Sequence, residues 1–134
     1  MLPAQLKDRL AQLAPRYGIR LALVFGSAVT GRGHERSDFD LALLLEDPKL
    51  SVSVFSELLH ELQSAIPASK LDLAMINHAD PLFLHQITSA CELAFGSPEA
   101  LERLRLYAFR RFQDHRRYLE MERAYVRRIA SESA

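Results

Sequence analysis

Two apolar runs, Leu21-Ala22-Leu23-Val24-Phe25 and Phe39 to Leu45, are joined by a connector that starts with Gly26-Ser27 and ends in Asp38. This arrangement constrains the fold more than any other part of the chain. The first run is short, rich in β-formers and closed by glycine, the pattern of a buried strand. With no Cβ, Gly26 lets the backbone turn sharply and lets an anion approach the main-chain N–H groups, while the Ser27 hydroxyl adds a hydrogen bond. Ala28, Val29 and Thr30 are expected to open a helical turn whose free N–H groups and positive dipole end favour an anion.

The second run is entered through Asp38. Side chains alternate along a strand, so Asp38 and Asp40 are expected on one face, with Ala42 and Leu44 beyond them. Neighbouring carboxylates repel and are costly to ionise together unless cations lie between them. Hard oxygen ligands of this kind suit Mg²⁺ or Mn²⁺, with a substrate triphosphate completing the shell. A third carboxylate comes from Asp72, the only charge inside the otherwise apolar run Leu71 to Ile76. A lone Asp is unfavourable for burial there unless it is paired, caps a loop or binds metal. If its strand lies beside that of Asp40, the three carboxylates meet and Asp72 can deprotonate an attacking hydroxyl. Ser37 reads as a turn residue positioning Asp38. Gly-Ser alone and Asp-x-Asp alone are common; together at strand ends, with a later Asp, they point to nucleotidyl transfer.

Along the rest of the chain helices and strands alternate. Leu6, Leu10 and Leu13 mark an amphipathic first helix, expected to stop near Pro15 to Gly18. Val52, Phe55, Leu58, Leu59, Leu62 and Ile66 mark a helix packed on the sheet and ended by Pro67. Asp80-Pro81 starts another helix with a capping side chain and proline at its first position, and Ser97-Pro98-Glu99 repeats that signal. Glu92 to Phe95 reads as a short strand between them. On the last helix, Leu101, Leu104, Ala108, Phe112, Leu119, Val126 and Ile129 form a stripe expected to pack in the core. Tyr118, Met121 and Tyr125, flanked by Arg117 and Arg128, form a neighbouring stripe expected to contact a partner or a second copy.

A chain of 134 residues, 49% hydrophobic, can bury one core, so residues 1–134 read as a single domain with a core of about 1–96 and a C-terminal helix of about 98–130. No uninterrupted apolar run suits a membrane span, and the start Met1-Leu2-Pro3 lacks a signal-peptide pattern, which makes the cytoplasm the expected location. Cys91 is the only cysteine, which excludes an internal disulfide and a cysteine-based zinc cluster. Residues 99–134 carry nine Arg against six acidic residues, and residues 1–98 carry eight Lys or Arg against eleven. The tail is therefore basic and the remainder acidic, without the extended basic groove that polymerisation of nucleic acid would need. The five histidines form no metal-spaced pair; His34 falls near the expected phosphates, where it reads first as a solvated loop residue. Arg110 and His115 reproduce an Arg-x4-His spacing found in HEPN ribonucleases, but one helix cannot supply that fold's bundle.

Gly26-Ser27, Gly31-Arg32, Ser37-Asp38-Phe39-Asp40-Leu41 and Asp72 resemble the polymerase-β-like nucleotidyltransferase superfamily. Within it, the short chain resembles the minimal MNT-type (MntA-like) antitoxins that accompany HEPN-type (HepT-like) toxins. The resemblance implies an α/β (α+β) fold: a small mixed sheet flanked by helices, with a long C-terminal helix. It further implies that Gly26 and Ser27 hold the β- and γ-phosphates and that Asp38 and Asp40 coordinate two Mg²⁺ ions. By the same resemblance, Asp72 binds the catalytic metal and activates the nucleophile, and Arg32 and Arg36 steady the triphosphate. The implied reaction passes AMP from ATP to a tyrosine of the cognate toxin, in a hetero-oligomer with it. A small-molecule acceptor, as in aminoglycoside nucleotidyltransferases, and neutralisation by binding alone are the alternatives.

Overall fold

The computed structural model describes residues 2–26 and 38–132. Its elements in chain order are α1 (Ala4–Tyr17), β1 (Ile19–Phe25), β2 (Phe39–Leu45), α2 (Val52–Gln63), β3 (Leu71–Met75), α3 (Pro81–Ser89), β4 (Glu92–Phe95) and α4 (Pro98–Glu132). The strands form one mixed sheet in the order β3-β2-β1-β4. β1 runs antiparallel to β2 and β4, and β2 runs parallel to β3. A parallel pair needs a crossover connection, which α2 provides.

Alternation along the strands sends residues to two apolar layers. Ala22, Val24, Leu41 and Leu43 face Leu6 and Leu10 of α1 and Leu58 and Leu62 of α2. Leu23, Ala42 and Ile76 face Leu84 and Ile87 of α3 and Leu101 and Ala108 of α4. Each fully buried leucine contributes about 1.5–3 kcal/mol, so these layers fix the register of β2, and with it the face on which Asp40 lies.

Three expectations need correction. Pro67 does not end α2, which stops earlier, at Gln63 with Ser64 as its cap, whereas α1 stops inside the expected range, at Gly18 (φ +69°), whose N–H donates to the Ala14 carbonyl. Val52, placed among core positions, is 83% exposed because it is the first residue of α2 and points away from the sheet layer. On α4 only Leu101 and Ala108 are buried, while Val126 and Ile129 stand in solvent with Tyr118, Met121 and Tyr125. The cause is length. A helix of 35 residues is about 50 Å long, and four strands span only about 15–20 Å, so α4 outruns the surface that it packs on. Among the described residues, no helix is long and apolar enough to cross a membrane.

Candidate active site

β1 ends at Phe25, and Gly26 turns the chain at φ +77°. Across the sheet, Phe25 is the register partner of Asp40, and Asp40 is the register partner of Asp72. Asp40 therefore sits between Phe25 and Asp72 on the layer that carries α3 and α4. A Cβ on Gly26 would collide with Asp40 Oδ2 and stand 3.2 Å from Asp40 Cγ. Glycine is required here by its backbone angle, and any side chain in its place would also have to displace the Asp40 carboxylate.

Asp40 is half-buried, and Asp38, one residue before β2, is exposed. Burial pushes the Asp40 carboxyl above its ordinary range, and the neighbouring charges of Asp72 and then Asp38 push it the same way. Asp72 is also exposed, because β3 is the edge of the sheet. Among the described residues, no three His, Cys, Asp or Glu side chains gather around one point to hold an ion. The donor set still suits a hard divalent cation: Asp40 and Asp72 are register neighbours, with Asp38 two residues before Asp40 on the same strand path.

Two amides hold the Asp72 strand in register. Gln63, at the end of α2, donates through Nε2 to the Ile66 carbonyl at 3.1 Å and the Ser69 carbonyl at 2.6 Å. Its Oε1 accepts from the Leu71 N–H at 2.8 Å, next to Asp72. At the other end of β3, Asn77 pairs with the Leu45 backbone, Oδ1 accepting at 3.0 Å and Nδ2 donating at 2.6 Å. The Phe39 N–H also donates to the Lys70 carbonyl at 2.7 Å. Sequence reasoning missed Gln63 and Asn77, and no pattern marks a glutamine at a helix end as a strand clamp.

The layer above the site begins with α3. Asp80 caps it by accepting from the Phe83 N–H at 2.9 Å, with Pro81 in the first turn. Its buried face is Leu84, Ile87 and Thr88, which leaves Leu82 and Phe83 outside the core. The Phe83 ring meets Phe25 edge-on, centroids 6.1 Å apart. His85 stacks on Phe112 at 4.2 Å, a packing role. Ser27, Arg32, His34, Arg36, Ser37 and the helical turn expected at Ala28 to Thr30 lie outside the described residues.

The family model of the polymerase beta nucleotidyltransferases matches residues 8–99, which include Gly26, Asp38, Asp40 and Asp72. No curated protein matches the chain. Among solved structures, it is similar to a chain of a toxin–antitoxin complex with AMP-PNP, at 24% identity and a TM-score of 0.68, covering 96% of this chain and 98% of that one. It is similar to a chain of the complex of tri-AMPylated Shewanella oneidensis HEPN toxin with MNT antitoxin, at 21% identity and a TM-score of 0.64, covering 99% and 100%. A third is the toxin–antitoxin complex MntA-HepT, at 21% identity and a TM-score of 0.62, covering 96% and 97%. These likenesses establish the fold, long final helix included.

Proposed function

The chain belongs to the polymerase beta nucleotidyltransferase family, and from that premise we propose that it transfers AMP from ATP to a tyrosine of a HEPN-type toxin and so neutralises it. The observation that carries this reading is the register that sets Asp40 beside Asp72 with Gly26 turned against the Asp40 carboxylate. The AMP-PNP and the AMPylated toxin of the similar complexes support AMP as the group and a protein as the acceptor.

In this reading Gly26 and Ser27 hold the β- and γ-phosphates, and Arg32 and Arg36 steady the triphosphate. Asp38, Asp40 and Asp72 would hold two Mg²⁺ ions, for which Mn²⁺ is a substitute. Bound there, the ions would offset charge on the entering and leaving oxygens. Asp72 stands open at the sheet edge, where a tyrosine hydroxyl of another protein can reach it, and takes the hydroxyl proton. The tyrosine oxygen bonds to the α-phosphorus as the bond to the bridging oxygen of the β-phosphate breaks, and pyrophosphate leaves from the Gly26 side. The exposed face of Tyr118, Met121 and Tyr125 on α4 contacts the toxin in a hetero-oligomer, in the cytoplasm.

The test is label transfer from each α-³²P nucleoside triphosphate with Mg²⁺, using the chain with its co-purifying partner and Asp38→Ala as control. Label from ATP on a partner tyrosine, lost in the variant, is the expected result. Tight partner binding without label from any nucleotide would sink the transferase reading in favour of neutralisation by contact. Label on a small molecule would replace the protein acceptor.

A further inference from the structure

The strand order sets two different neighbours against Asp40. Asp72 of β3 lies on one side and Phe25 of β1 on the other. Phe25 packs with the layer of Leu23 and Ala42, and Ala42 lies two residues beyond Asp40, so Phe25 and the Asp40 carboxylate share a face. Phe83 descends on Phe25 from the first turn of α3, its plane at 81° to the Phe25 ring. Phe83 lies outside the buried face of α3, which is Leu84, Ile87 and Thr88, and stays 36% exposed. The ring is nonetheless held, below by Phe25 and along its backbone by the Asp80 cap on its own N–H.

On the premise that the chain transfers a nucleotidyl group, we propose that Phe83 is the stacking surface for the nucleobase, with Phe25 fixing its orientation. Phe25 is the cross-strand neighbour of Asp40, and the Phe83 ring lies 6.1 Å from the Phe25 ring, so Phe83 is reached from Asp40 through Phe25 on the same layer of the sheet. The side on which it lies selects the ligand. Gly26, the phosphate turn of the proposed site, directly follows Phe25, whereas the acceptor approaches from the Asp72 edge. A planar ring resting on Phe83 therefore belongs to the nucleotide. Stacking on an aromatic face tolerates any base and favours the larger purine surface, so the preference among nucleotides is graded rather than absolute.

Calorimetric titration of the Mg²⁺-loaded protein with a non-hydrolysable ATP analogue and with inorganic tripolyphosphate tests this. Phe83→Ala and Phe83→Leu should each weaken the analogue about tenfold and leave tripolyphosphate affinity unchanged, while Phe83→Tyr binds the analogue like wild type. Unchanged analogue affinity in the alanine variant would overturn the proposal, and a raised KM for the protein acceptor in that variant would assign the ring to the acceptor instead. Equal weakening of both ligands would overturn it as general damage to the site, and wild-type affinity in the leucine variant would reduce the ring to apolar filler. Wild-type protein that binds neither ligand would remove the nucleotidyl reading together with this one.

Discussion

Replacing Asp40 by asparagine should make the metal-free protein more stable at neutral pH, the reverse of what most changes at a half-buried polar position do. Asp40 and Asp72 are direct neighbours across two parallel strands, which sets their backbones about 5 Å apart and makes that the working distance for their charges. Two unit charges at that distance repel by about 1 kcal/mol in water and about 3 kcal/mol at an effective dielectric constant near 20. Asp72 is exposed and Asp40 only half-buried, so the lower half of that range applies, about 1–2 kcal/mol. In a domain of this size that is roughly 4–8 °C in Tm. The pH dependence follows from the raised folded-state pKa of Asp40, caused by burial and then by Asp72 and Asp38. The folded protein holds that proton more tightly than the unfolded chain. Wild-type stability therefore falls as pH rises from the unfolded to the folded pKa, and the penalty is complete above it. Urea denaturation in EDTA, at neutral pH and in steps through the carboxylate range, reads both effects. The asparagine variant should lead at neutral pH and lose its lead as the solution is acidified. Added Mg²⁺ should then stabilise wild type and leave the variant nearly unmoved. A variant no more stable than wild type at neutral pH in EDTA, or one whose lead survives acidification, would refute the repulsion argument.

Three further outcomes are expected. Gly26→Ala forces a side chain into a left-handed backbone angle and against Asp40 Oδ2; it should destabilise by at least about 1–2 kcal/mol, measured by chemical denaturation, and abolish tripolyphosphate binding. Gln63→Leu leaves the Leu71 N–H and the Ser69 carbonyl without their side-chain partner; it should lose about 1–3 kcal/mol and slow transfer more than it weakens ATP binding, because Asp72 moves and Gly26 does not. Tyr118→Ala combined with Tyr125→Ala should change stability by under about 0.5 kcal/mol per site, since both rings stand in solvent, yet weaken binding of the proposed toxin partner in a titration; unchanged partner affinity would remove α4 from the proposed interface.

The parts of the fold legible in the sequence are those set by local chemistry. The bounds of β2, the Asp80 cap of α3 and the short β4 each follow from alternation, a capping side chain or a flanking glycine. Gly26 was legible as a turn because only glycine takes its backbone angle freely, but its contact with the Asp40 carboxylate arises from strand pairing. The stop of α1 was legible in the Pro15 to Gly18 stretch: Pro15 sits in the last turn, where it forfeits one hydrogen bond without breaking a helix held by Leu6, Leu10 and Leu13, and Gly18 closes it. The apolar stripe of α4 carried one period from end to end, and periodicity does not record where the surface beneath a helix runs out. Gln63 left no signal, since its partners are backbone groups that any sequence would supply.

The position of Asp72 joins stability to the proposed chemistry. An edge strand offers unpaired backbone groups to any other strand, and proteins blunt that hazard with short strands and charge. β3 is five residues long and carries Asp72 near its start, so one carboxylate discourages edge pairing and also stands open beside Asp40. Had β3 been central, an acceptor would have had to enter between two covering strands, and the charge would have been buried at a penalty of several kcal/mol. At the edge, a hydroxyl carried by a second folded protein can approach Asp72 directly. That openness is what the proposed macromolecular acceptor requires.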